Sequence, residues 1–149
     1  MFGGGAMHDS LLLSGISYNF DAEPDTYPVD HDELLLELVK KSQGKLQGVK
    51  AYQQNKYDKE ADTTEMTLLA IYNNKCFVMM PEDLGDWYDV ETIDQLLKAI
   101  VVEAGIKERF VPLNTGDQTV WYIFGEGEKV GKLAMDYKLE YTATIGDQE

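Results

Sequence analysis

The stretch EMTLLAIYNNKCFVMM, Glu65–Met80, sets two β-rich runs on either side of Asn73-Asn74. Asparagine tolerates positive φ, and a two-residue type I′ turn requires it at both central positions. The stretch therefore predicts an antiparallel hairpin. Cys76 falls in its apolar run CFVMM, where a buried, inert thiol is expected.

Working outward, VDHDELLLELVKKSQG (Val29–Gly44) predicts a helix with both ends written in. Asp30 suits the N-cap and Glu33 completes a capping-box pair. Lys40 and Lys41 sit where the helix dipole favours cations, and Gly44 supplies a left-handed stop. Leu34, Leu35, Leu38 and Val39 form the apolar stripe. Between helix and hairpin, Leu46–Tyr52 reads as a weak strand, and QQNKYDKEADTT as a polar loop or long connection. After the hairpin, Asp89 is the expected N-cap of a second helix, with Glu91 and Asp94 in its first turn. Ile93, Leu96, Leu97, Ile100, Val101 and Ala104 recur at helical spacing, and Gly105 ends the run.

The last third reads as strands: RFVPLN and TVWYIF around the turn-like NTGDQ, then KLAMDYKLEYTAT. In the last of these, Leu133, Met135, Tyr137, Leu139 and Tyr141 share one face. Before the first helix, Ile16, Tyr18 and Phe20 alternate with small or polar neighbours, which reads as one short strand in an otherwise irregular segment. Neighbouring strands joined by short turns predict an α+β fold, mainly antiparallel sheet with two amphipathic helices packed on one face. The expected division is an irregular arm or loop over 1–28, a single domain over 29–145 and a disordered tail over 146–149.

At 149 residues the chain is long enough to close one core without staples, and its single cysteine excludes an internal disulfide. Its 13 Lys and Arg against 27 Asp and Glu leave a net charge of −14, and Arg109 is the only arginine. Such a surface repels phosphate, so neither nucleic acid nor an anionic membrane is expected as a direct partner. No signal sequence or membrane span is evident, which predicts a cytoplasmic protein.

Sites for chemistry fare poorly. In GEGEKVGKL (Gly125–Leu133) three residues separate Gly127 from Gly131, one short of a P-loop, and the dinucleotide spacing fails as well. That segment reads as a hairpin loop opening a strand, with Glu126 and Glu128 hostile to phosphate. His8 and His31 are the only histidines, so a three-histidine zinc site is impossible; His31 reads as part of a solvated capping turn. No calcium-loop order and no G-x-S-x-G nucleophile are present. The expectation is a protein that is not an enzyme and binds neither cofactor nor metal.

What remains is charge placement. Asp21–Glu37 holds seven acids and no base, and PEDLGDWYDVETIDQ (Pro81–Gln95) holds six carboxylates, a Trp and a Tyr and no base. Carboxylates at helix starts gain only about 0.3–1 kcal/mol each, too little to account for so many without a neighbouring cation. If the two helix starts lie together, the acids merge into one anionic face. The residues expected to meet a partner are Glu82, Asp83, Asp86, Trp87, Tyr88, Asp89 and Glu91 on one segment, and Asp25, Tyr27, Asp30 and Asp32 on the other. Exchanging Asp83, Asp86 and Asp89 together for Asn is expected to spare the fold.

The function this predicts is a small acidic inhibitor, of the type of immunity and anti-defence proteins of bacteria and phages, capping a basic nucleic-acid-binding protein. The alternative is a structural subunit of a phage particle or multiprotein complex, whose N-terminal arm orders on a neighbour and which forms homo-oligomers.

Overall fold

The computed structural model describes residues 17–114, 118–128, 130 and 140–141. The Glu65–Met80 stretch is a hairpin: β3 (Thr63–Tyr72) and β4 (Lys75–Met79) pair antiparallel with Tyr72 opposite Lys75. Asn73 and Asn74 take φ of 55° and 62°, the geometry the turn demands. Glu103 anchors the turn from outside, accepting from Asn73 Nδ2 at 2.9 Å and pairing with Lys75 at 2.8 Å.

On its other edge β3 pairs with β2 (Lys50–Asp58), in register from Lys50↔Ile71 to Asp58↔Thr63. QQNKYD is therefore strand where loop was expected. An edge strand exposed on both faces from Gln54 onward has no apolar alternation to betray it; β3 holds it through the backbone. The segment GEGEKV also departs from expectation. Gly127, Glu128 and Val130 are helical, and the Val130 N–H donates to the Glu126 carbonyl at 2.9 Å. The strand expected to follow it lies outside the described residues.

A second antiparallel sheet runs in the order β1-β6-β5-β7, built from β1 (Ser17–Asp21), β5 (Arg109–Asn114), β6 (Thr119–Gly125) and β7 (Glu140–Tyr141). The possible strand at Tyr18 and Phe20 is thus real, inside a segment read as largely irregular. The fold is α+β, with the strands divided into two sheets instead of gathered in one. The expected arm before residue 17, the alternation over Leu133–Leu139, the tail from 146 and His8 lie outside the described residues.

Helix α1 (His31–Val39) begins after Asp30, whose side chain makes no capping bond. Its first donors go elsewhere: the His31 N–H to Gln53 Oε1 at 2.9 Å, the Glu33 N–H to Asp32 Oδ1 at 2.9 Å. A 3₁₀ turn, Lys40–Ser42, follows, and Gln43 and Gly44 both take positive φ to stop it. Helix α2 (Val90–Ala104) has the expected ends. The Asp89 carboxylate accepts from the Thr92 N–H and hydroxyl at 3.2 and 2.7 Å, and Gly105 closes the helix with φ 67°.

One contiguous core joins both helices to both sheets. It includes Leu35 and Leu38 of α1, Leu68 and Ala70 of β3, Leu96, Leu97 and Ile100 of α2, Phe110 of β5, and Tyr122 and Phe124 of β6. Each fully buried aliphatic side chain contributes about 1.5–3 kcal/mol. Cys76, by contrast, is exposed. In β4 it is Phe77 and Met79 that turn toward the core, and period-2 geometry sends Cys76 and Val78 outward. Among the described residues, no helix is long and apolar enough to cross a membrane.

Candidate functional site

The two acid-rich segments meet. The Tyr88 N–H donates to the Ala22 carbonyl at 2.9 Å, fastening the loop before α2 to the loop before α1. Tyr27 reaches across and donates its hydroxyl to Asp83 Oδ2 at 2.6 Å. With its one proton committed there, Tyr27 accepts from the Thr64 hydroxyl, 2.8 Å away. The Thr64 and Gly85 N–H groups also donate to Asp83, at 2.8 and 3.0 Å. Burial alone would raise the Asp83 pKa, but these bonds outweigh it and hold the carboxyl below its ordinary value.

The helix starts are joined through His31, which is fully buried. Its Nε2 accepts the Asp89 N–H at 3.0 Å and its Nδ1 lies 3.2 Å from Gln53 Oε1. Accepting at Nε2 and donating at Nδ1 defines the neutral Nδ1–H tautomer. Burial lowers the His31 pKa, against a smaller opposing pull from Gln53 and the carboxylates of Asp89, Asp32 and Asp30. His31 is therefore a clamp between α1 and α2 and no part of a solvated turn. Its role has no local sequence signature, because Gln53 and Asp89 are 22 and 58 residues away.

Asp89 does double duty, since its Oδ2 also accepts the Glu82 N–H at 2.9 Å. Burial raises its pKa, and the bonds from Glu82 and Thr92 more than reverse that. The expectation that Asp83 and Asp89 could become Asn without cost to the fold fails on this geometry. An amide offers one acceptor oxygen and puts a donor where a second N–H or O–H already points. Asp86 is different. It lies beside Glu23, whose pKa is raised by burial, then by the charge of Asp86 and a side-chain hydrogen bond with it, and by Asp21 and Asp25.

The other expected residues take varied places. Asp25, Asp30, Glu82 and Glu91 are exposed, and Asp32 is half-buried. Tyr27 and Trp87 are 46% and 38% exposed, with Leu84, at 44%, bridged to Trp87 by a tight turn at Gly85. Tyr88 is half-buried, edge-on to both Phe20 and His31. The ion pairs Lys40–Glu37, Lys45–Glu108 and Lys75–Glu103 draw on none of the expected acids. Arg109 turns inward, donating to the Ile106 and Glu108 carbonyls at 2.8 and 2.9 Å.

Chemically, the surface offers carboxylates beside exposed aromatic and aliphatic side chains. Among the described residues, no group of three or more His, Cys, Asp and Glu side chains is placed to hold a metal ion. In comparisons with known proteins, no family model, curated protein or solved structure matches this chain.

Proposed function

We propose that the protein is a small acidic binding protein that covers the basic, nucleic-acid-binding surface of another protein and acts there as an inhibitor. The observation that carries this is that two acid-rich segments without Lys or Arg are fastened together by Tyr27–Asp83, Tyr88–Ala22 and His31–Asp89. Capping and internal hydrogen bonding account for Asp83 and Asp89, Glu23 and Asp86 bond each other without a cation, and Asp25, Glu82 and Glu91 stand in excess. A fold that tolerates such repulsion is consistent with a surface kept for a cationic partner. Charge of this kind speeds association and rejects wrong partners, while Trp87 and Leu84 offer apolar area to slow dissociation. Immobilised protein should retain a basic partner from lysate at low salt and lose most of it by about 0.5 M, where screening is nearly complete. Capture indifferent to salt would count against the proposal.

A second function, as an assembly subunit, is favoured by a different observation. The outer face of the β2-β3-β4 sheet exposes Tyr52, Ile71 and Val78, aligned through Tyr52↔Leu69↔Val78. Light scattering should then show concentration-dependent oligomers that Val78→Lys abolishes; a monomer at every concentration would exclude self-assembly through this face.

A further inference from the structure

Between β1 and α1 lies an open cleft of about 570 Å³, whose aromatic side is Tyr18, Phe20 and Tyr88 and whose acids are Asp21, Glu33 and Glu37. Tyr18 and Phe20 stack with ring centres 6.0 Å apart, and Tyr88 stands edge-on to Phe20 at 5.7 Å. Lys40 is the one cation on the lining and is tied to Glu37 at 2.8 Å, the lysine mostly in solvent and the glutamate about half exposed. Three carboxylates against one ammonium leave the cleft anionic.

We propose that this cleft takes an arginine side chain from the basic partner inferred above. The inference rests on that function and adds the place where an anchor residue docks. A guanidinium is planar, weakly hydrated and fork-shaped, so it stacks on aromatic faces while donating to carboxylates at its edge; an ammonium does only the second well. Arginine would lie against the Tyr18, Phe20 and Tyr88 rings and donate to Glu33 and Glu37, displacing Lys40 into solvent. An exposed pair such as Lys40–Glu37 costs little to break. Burial leads in raising the pKa values of both phenols; Glu37 adds to it at Tyr18 against Lys40, and Tyr18, Asp30 and Glu33 add to it at Tyr88. Phosphate and other anions would meet three carboxylates in the cleft, with Lys40 the only cation on its lining.

The test uses a blocked penta-arginine peptide and the full chain, followed by NMR and calorimetry at low salt. The peptide should shift the Tyr18, Phe20 and Tyr88 ring signals and show contacts from its side-chain methylenes to those rings, a result that needs no variant. Glu33→Gln with Glu37→Gln should weaken binding at least tenfold, Glu82→Gln with Asp86→Asn less than threefold, and penta-lysine should bind several-fold more weakly than penta-arginine. Sensitivity to Glu82 and Asp86 alone would overturn the cleft and leave the anionic surface standing. Equal sensitivity to both pairs, or equal binding of the two peptides, would reduce the effect to general charge attraction and also overturn the cleft. No binding of either peptide would remove the anionic-surface function and the cleft with it.

Discussion

At the scale of single residues, His31 does the most and was the least legible. Its buried neutral ring joins Asp89 to Gln53, and its pKa is lowered in the fold relative to the unfolded chain. Below the ordinary histidine value of about 6.5 the unfolded chain binds the proton more readily than the native one. Stability should hold level above that pH and fall as pH drops through it. Urea unfolding at pH 7.5 and 5.5 checks this: the midpoint should drop in the native sequence, and His31→Gln should be weaker at pH 7.5 yet lose that pH step. A step that survives the substitution would assign it elsewhere. Asp83 and Asp89 have lowered pKa values, so their contribution is present above about pH 4 and lost only as pH falls through their folded values. Replacing Asp89 by Ala removes the α2 cap and strands the Glu82 N–H, and should cost about 1–2 kcal/mol in denaturant unfolding. The Asp89 cap could be read from sequence because N-capping is local. The His31 clamp could not, because every partner is distant in the chain.

At the scale of elements, what could be read depended on whether the signal was local or periodic. The Asn73-Asn74 turn and helix α2, with a cap, a stripe and a terminal glycine, were legible from one end to the other. Since Asn74 holds φ of 62°, Asn74→Gly should relieve residual strain and raise stability by up to about 1 kcal/mol, read as a higher urea midpoint. Asn73 should be kept, because its amide bonds Glu103. The outer half of β2 was illegible for the opposite reason. Its residues are polar on both faces, and only its pairing with β3 makes it a strand. The inward face of β4 was hidden by an unbroken apolar run, so Cys76 was misplaced. A thiol on that outer face should label quickly with a maleimide in the native protein; slow labelling that needs denaturant would contradict its exposure.

At the scale of the whole molecule, two loops before two helices carry the acids and are tied together by hydrogen bonds that the composition did not announce. Sequence showed the excess of charge and where along the chain it sits. It did not show that Asp83 and Asp89 are occupied internally, nor that Tyr88 turns inward beside Phe20 to form one side of a cleft. The acids crowd one another: burial, then Asp86, Asp21 and Asp25, raise the Glu23 carboxyl. Neutralising Asp25, Glu82 and Asp86, where an Asn at 86 can still bond Glu23, should relieve repulsion and leave the melting temperature unchanged or higher, while the same change in Asp83 or Asp89 should lower it. The most direct measurement is partner capture at low salt by the Asp25→Asn, Glu82→Gln, Asp86→Asn variant, after its melting temperature confirms an intact fold. Capture should fall steeply although the fold is at least as stable as before. Undiminished capture by the neutralised surface would contradict the account.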